Sequence, residues 1–496
     1  MKYRDSKNQY NTDVHLSNLE ILECIITIFE KEDVNVEILI DIINTLADFI
    51  QYNNKYYFDF ETFEKLADLI VGIIGKFNDE HNEFNINNQN DIKDIKKLLE
   101  NFKMEIFNDF KINIYFYGKD KYNLLNKSIN KNISIIEDIS ELRKIQDSKK
   151  NDQINILILS EETVDINLDL GRYFDDIIYY DKLMNYMFNM SENIYYKNYD
   201  YNYLLKSLEK SESKEIDTIV VGNSYPLTGI DTNLLKFNSV NLSLSSQDLY
   251  YSYKLAKLAI RKNENIKRCI IGAGYYLVNH DLSKSKNEYS INMIKNVYYP
   301  LLKDKHNSDK VESIEILSIA SLLNDNTLEY IFDLDFLDRY FKDLIYRDNN
   351  GYFNKNFTRN MNSMLGGVKL KDIIEEDKNK LGKLRSEQHN KLSKYTKTTY
   401  EYSLIFNEFM EFLSINNIEV VIVVFPTTKY YSKFLDEKYE YEFYKIVETI
   451  KEKFEVTIVD FSKSDIFIED DFIDFDHISE IGSCKITQQL NNIIAR

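Results

Sequence analysis

The chain has 496 residues, 44% hydrophobic and 14% aromatic, which excludes a mainly disordered protein and is too much for one ordinary core, so two or three domains are expected. Its 81 acidic against 62 basic residues give a net charge of −19, which argues against sequence-independent nucleic-acid binding and against docking on an anionic membrane surface. Cys24, Cys269 and Cys484 are odd in number, far apart and in no metal-ligand spacing, which suits free thiols in a reducing compartment.

No apolar core follows Met1-Lys2-Tyr3-Arg4-Asp5, so no signal peptide is expected. The apolar run Leu69 to Ile74 is far shorter than the roughly 20 residues of a membrane-spanning helix. A soluble, cytoplasmic protein without membrane insertion is the expectation. Residues 14–110 read as a helical region. Ser17 and Glu20 form a capping-box pattern, and Leu19, Leu22, Ile26 and Phe29 recur at helical spacing. No convergent polar set marks these helices, so a packing or assembly role is expected of residues 1–110.

From Lys111 the pattern changes to strands alternating with helices, expected at Ile112–Tyr117, Ile133–Ile136, Ile154–Leu159 and Ile177–Tyr180. That alternation predicts a small parallel, Rossmann-like α/β domain over 111–198. The turn after its first strand, Tyr117-Gly118-Lys119-Asp120, has neither a dinucleotide fingerprint nor a P-loop. A nucleotide-binding role there rests on fold analogy alone.

Residues 199–496 open with a helix, Tyr199 to Ser211, and then carry the clearest α/β rhythm. Strands are predicted at Asp217–Val221, Ser239–Leu244, Arg268–Ile271, Val420–Phe425 and Val456–Asp460. Helices are predicted at Gln247–Arg261, Tyr400–Ile415, Tyr441–Phe454 and Ile478–Ile494. A long insertion, about 283–397, separates the third and fourth strands, and reads equally as a lid or substrate wall and as a helical subdomain padding the sheet.

The apolar run Ile219-Val220-Val221 ends at Gly222-Asn223-Ser224, so a buried strand presents one serine at the sheet edge where open α/β sheets bind ligands. Near the other end, Asp474-Phe475-Asp476-His477 offers a base and an orienting carboxylate. Asp470, Asp471 and Asp476 crowd the same loop, and their field is expected to raise the pKa of His477. A divalent-metal site in this acidic loop is the competing reading. It lacks a second nearby histidine, so no metal or cofactor is assigned.

On these residues the third region resembles the SGNH (GDSL-like) hydrolase and acyltransferase superfamily over a little over half the chain. Gly222-Asn223-Ser224, with Gly229 shortly after, matches the family's first block, and Asp474-x-x-His477 matches its last. The resemblance implies a flavodoxin-like, three-layer α/β/α domain. In it Ser224 attacks an ester carbonyl, His477 takes its proton and Asp474 steadies the imidazole. The middle blocks depart from the family. Leu244-Ser245-Ser246-Gln247 lacks the usual glycine, and Gly272-Ala273-Gly274-Tyr275-Tyr276 lacks the usual asparagine, with Asn279 arriving late. The oxyanion candidates are therefore the backbone N–H of Ser245 or Ser246 and the side chain of Asn279.

Asn223, Tyr275 and Pro426 are the candidate substrate contacts at the strand ends. Tyr276, Tyr430 and Tyr431 are read as core or surface filler in a chain with 38 tyrosines, sugar stacking being the alternative. The resemblance implies an esterase or O-acetyltransferase acting on a small-molecule or glycan acyl ester, without a cofactor and without nucleic acid. Surface polysaccharide metabolism enters through the resemblance only. The alternatives are a non-catalytic binding or assembly protein on the same scaffold, and a nucleotide-sugar enzyme centred on 111–198.

Overall fold

The computed structural model describes residues 111–494, interrupted chiefly within 139–152, 161–175, 310–316, 324–325 and 349–366. The helices expected over 14–110 lie outside the described residues. The rest divides into two compact units, one of residues up to Ser191 with Ser318–Arg339, the other of Glu192–Leu317 with residues from Tyr340 onward. The insertion expected at about 283–397 is thus shared. Within the first unit Ile129 bridges Phe332 antiparallel, and the Asp333 N–H donates to the Ser128 carbonyl at 2.7 Å.

The first unit holds β1 (Lys111–Tyr117), β2 (Ile133–Ile136), β3 (Gln153–Leu159) and β4 (Asp176–Tyr179) in one parallel sheet, ordered β2-β1-β3-β4. Consecutive residues Ile156, Leu157, Ile158 and Leu159 are all buried, as expected of a parallel strand covered on both faces. After β1 the Asp120 carboxylate accepts the N–H groups of Leu124 and Leu125 and the Tyr180 hydroxyl. A carboxylate fills the turn where a phosphate-binding protein would present donors.

The second unit begins with helix α1 (Tyr199–Ser211) and β5 (Thr218–Gly222). It continues through the short helix α2 (Ser224–Gly229), β6 (Ser239–Asn241), α3 (Leu249–Lys262) and β7 (Arg268–Ala273). Helix α4 (Glu375–Asn390) belongs to the insertion. Then come α5 (Thr396–Ile415), β8 (Glu419–Val424), α6 (Glu437–Lys451), β9 (Val456–Asp460) and α7 (Glu480–Ile494). All five strands are parallel, ordered β6-β5-β7-β8-β9.

α5 and α6 each start four residues before the expected position, and two other boundaries differ for local reasons. β6 stops at Asn241 because its side chain turns back to accept the Ser243 N–H. α3 starts at Leu249 because Asp248 caps it, accepting from Tyr251.

The order amounts to 2-1-3-4-5, so the chain leaves β5 in one direction and returns past it to β7. With right-handed crossovers, α2 lies on one face and α3, α5 and α6 on the other. The packing agrees: α2 packs on α7, α3 on α5, and α5 on α6. Adjacent strands β5 and β7 send their connections to opposite faces, and the crevice at their carboxyl ends is where such sheets bind ligands.

That crevice is shaped by two glycines paired across it, Gly222 and Gly272. Gly222 has φ of 146°, and a Cβ added there would lie 2.6 Å from the Gly272 carbonyl oxygen and 2.7 Å from Pro226 Cγ. On Gly272 a Cβ would meet Pro226 Cγ at 2.3 Å. The proline ring therefore sits directly on backbone and fixes how α2 leaves β5. Among the described residues no helix is long and apolar enough to cross a membrane. Gly272→Ala is expected to lower unfolding stability by about 1–3 kcal/mol through overpacking against a rigid ring, read as a lower denaturant midpoint with an unchanged m-value. A midpoint equal to wild type would refute the contact.

Candidate functional site

Ser224 is the first residue of α2, and Asn223 before it takes an extended conformation and accepts the Tyr225 N–H with its side-chain oxygen at 3.0 Å. The strand therefore ends, the helix starts, and the hydroxyl emerges at the sheet edge, 9% exposed. Asn223 is thus a helix cap.

The opposing group comes from the loop before α7. Phe472 bridges Ile478, and the Ile473 N–H donates to the His477 carbonyl at 2.9 Å. Inside this loop Asp474 Oδ1 accepts the backbone N–H groups of Asp476 and His477 at 3.0 and 2.9 Å. The loop is tied to the end of β8 by Thr428, whose N–H and hydroxyl both donate to the Phe475 carbonyl.

His477 Nδ1 lies 3.0 and 2.9 Å from the two Asp474 carboxylate oxygens, and Nε2 lies 2.8 Å from Ser224 Oγ. Nδ1 faces only acceptors and carries the proton of the neutral ring. Nε2 then presents its lone pair to the serine hydroxyl. All three side chains are buried. Burial lowers the His477 pKa, but the Asp474 and Asp476 carboxylates outweigh it, and the net shift is upward.

Of the three crowding aspartates only Asp476 faces the ring, at 3.7 Å from Nδ1. Asp470 pairs with Lys371 and Asp471 with Lys485. Burial drives the Asp476 carboxyl up, yet the Arg385 and His477 charges hold it far below the usual carboxylate range.

Around this chain the expected residues divide. Ser246, in the turn after β6, has φ of 57°, the left-handed region that favours glycine. Glycine would adopt this conformation without strain. The backbone N–H groups of Ser245 and Ser246 meet no acceptor among the described residues. The turn is linked to α2 through Asn241, whose amide donates to the Pro226 carbonyl at 3.0 Å.

Asn279 goes elsewhere. Its amide donates to Thr399 on α5 at 3.0 Å and to Glu442 on α6 at 3.2 Å. The turn over Gly274–Asn279 is closed by the Leu277 and Asn279 N–H groups, and the expected side-chain donor is engaged by α5 and α6 rather than by Ser224. Tyr275 donates to Asp460 at the end of β9 at 2.8 Å. Pro426 is buried beyond β8. Tyr276, Tyr430 and Tyr431 are core residues.

A cleft of about 320 Å³ opens at the same sheet edge, lined by Tyr225, Tyr275, Tyr276, Phe425, Thr427 and Glu440 among others. Tyr225 borders both features, its ring centroid 5.7 Å from that of His477. Asp474, Asp476 and His477 are also close enough together to hold a cation. Arg385 already grips Asp476 through two hydrogen bonds, and a metal ion would have to displace it.

Sequence reading missed the contribution of α4. Arg385 and His389, four apart and so on one helical face, both reach the site's surroundings. The His389 ring stacks on Tyr276 with centroids 4.5 Å apart, and its Nδ1 meets the Tyr431 hydroxyl at 2.5 Å. The i, i+4 spacing was the only signal, inside an otherwise charged and weakly patterned helix. No protein-family model matches the chain, and no curated protein matches it significantly.

Burial, followed by the Arg385 charge, pushes the His389 pKa from 6.5 down to about 3. Below about pH 6.5 the unfolded chain therefore binds a proton that the folded one refuses until about pH 3, so His389 costs stability as pH falls through that window. The stability difference between wild type and His389→Gln should shift against wild type on acidification from pH 7 to 4, by up to about 1.4 kcal/mol per pH unit. Urea titrations of both proteins at several pH values read this directly, and a pH-independent difference would contradict it.

Proposed function

We propose that the second unit is a serine-dependent acyl-ester hydrolase or O-acyl (acetyl) transferase of the SGNH type, acting on a carbohydrate or related hydroxyl-bearing ester. The observation that carries the reading is the 2.8 Å contact between Ser224 Oγ and His477 Nε2, with Nδ1 held by Asp474. The 2-1-3-4-5 strand order, with the serine after the first strand and Asp-x-x-His before the last helix, is consistent with it.

In this reading Ser224 Oγ attacks the ester carbonyl carbon while its proton passes to His477 Nε2, and Asp474 stabilises the resulting imidazolium. The oxyanion of the tetrahedral intermediate is met by the backbone N–H groups of the Ser245–Ser246 turn. Collapse breaks the bond to the leaving alkoxide, which takes the proton from His477. The acyl group stays on Ser224. Water or an acceptor hydroxyl, deprotonated by His477, then attacks the acyl-enzyme and regenerates the serine. The carbohydrate part of the reading comes from the resemblance and from the tyrosine-rich cleft beside Tyr225.

A second reading, a non-catalytic binding protein on this scaffold, is favoured by the engagement of Asn279 away from the serine. Loss of one oxyanion donor costs about 10²–10³ in rate, which slows an esterase without abolishing it. Turnover of p-nitrophenyl acetate separates the two. Ser224→Ala is expected to lower turnover by several orders of magnitude, leaving only the residual rate that oxyanion donors and binding supply, and Asp474→Asn to lower kcat by roughly 10⁴ by freeing the imidazole to adopt the wrong tautomer. Equal turnover by wild type and Ser224→Ala would end the enzyme reading.

A further inference from the structure

Helix α4 reaches the site with one charged side chain. Arg385 donates from Nε to Asp476 Oδ1 at 2.8 Å and from Nη2 to Asp476 Oδ2 at 2.9 Å, while its Nη1 donates to Gln388 at 2.9 Å. The Asp476 side chain is 0% exposed and that of Arg385 18%. Three of its five guanidinium N–H donors are engaged, two of them by Asp476, so Arg385 is tied to the His477 loop through that carboxylate.

We infer that Arg385 is a positioning residue for the Ser224–His477 pair: its planar fork fixes and neutralises Asp476, so that the His477 ring faces one uncompensated carboxylate, Asp474, rather than two. This rests on the esterase reading given above for what the ring does, although the electrostatic claim stands without turnover.

The groups facing His477 come from several elements. Its own loop supplies Asp474 and Asp476, and α4 supplies Arg385 and the neutral His389. α2 supplies Tyr225, whose hydroxyl donates to Asp476 at 3.3 Å. The turn after β7 supplies Tyr276, donating to Tyr225 at 3.0 Å, and the segment after β8 supplies Tyr431. Only Arg385 among them is a cation at neutral pH. Without it, both carboxylates would favour the imidazolium, which has no lone pair for the serine proton. The bidentate geometry also suits Arg and not Lys.

α4 is built to hold that guanidinium still. At Gly382 a Cβ would lie 2.4 Å from the Tyr430 carbonyl oxygen, so α4 and the short helical turn Lys429–Ser432 touch backbone to backbone. Tyr439 donates to the His389 carbonyl at 2.6 Å, and Asn390 donates to the Phe434 carbonyl at 2.8 Å.

The test is the pH dependence of Ser224 labelling by a fluorophosphonate probe, measured on the full chain in wild type, Arg385→Gln, Asp476→Asn and the double variant. Arg385→Gln should move the midpoint of the acid limb up by about one pH unit or more, with a plateau at high pH near wild type. Asp476→Asn, which leaves Arg385 uncompensated, should move it down. The double variant, with both charges gone, should return to within a few tenths of a unit of wild type. An unmoved midpoint in folded Arg385→Gln, or a double variant that keeps the single variant's shift, overturns the inference. If Arg385→Gln does not fold, the downward shift in Asp476→Asn decides, and its absence is equally fatal. If wild-type Ser224 is not labelled at any pH, the esterase reading fails. The same variants are then compared by NMR titration of the histidine rings, with His477→Gln assigning the resonance, and the same pattern of shifts is required.

Discussion

One buried carboxylate holds the site together. Asp474 accepts two backbone N–H groups of its own loop and the Nδ1 proton of His477. The same interaction folds the loop and aims the ring. A side chain that turns its own backbone around itself gives up little conformational freedom to do so, because i to i+2 and i+3 contacts require no long closure. The result is an imidazole whose tautomer and orientation are fixed by the residue three positions before it, so that the only variable left is where the loop as a whole sits. Thr428 and the close contact of Gly482 with the Asp471 carbonyl settle that.

The insertion between β7 and β8 takes part in the same arrangement. α4 carries a buried ion pair whose partner is in the loop, and a histidine that packs on Tyr276 and Tyr431 from the segments after β7 and β8. Buried ion pairs contribute little net stability because desolvation offsets attraction, and removing one partner is far worse than removing both. Such a pair is better understood as fixing which of several apolar packings is adopted. Here it links the insertion to the one loop whose placement matters most for the serine.

The parallel strands were legible because they are short, apolar and bounded by turn residues, and all five strands of the second sheet lie where the pattern put them to within a few residues. The serine and the Asp-x-x-His segment were legible because each sits where a strand or loop meets a helix at the sheet edge. What the pattern could not give was partnership across distance. Nothing in Asn279 announced that Thr399 and Glu442 would take its amide, and nothing in a charged helix such as α4 distinguished Arg385 from the lysines around it. The sharing of the insertion between two units was hidden for the same reason, since a single bridge, Ile129 to Phe332, has no periodicity. Ser246 is the intermediate case: the absence of glycine was visible, whereas its left-handed backbone was not.

Ser224 and His477 lie 253 positions apart, the serine after the first strand of the five-stranded sheet and the histidine after its last. A hydroxyl in this setting is an ordinary alcohol throughout synthesis and early collapse. It gains its hydrogen-bonded ring only when α7 docks against α2 and closes the far side of the sheet. Reactivity of the serine would therefore report completed maturation of the whole unit. A half-folded chain, however well formed its first strands, would hold the same serine without its imidazole partner.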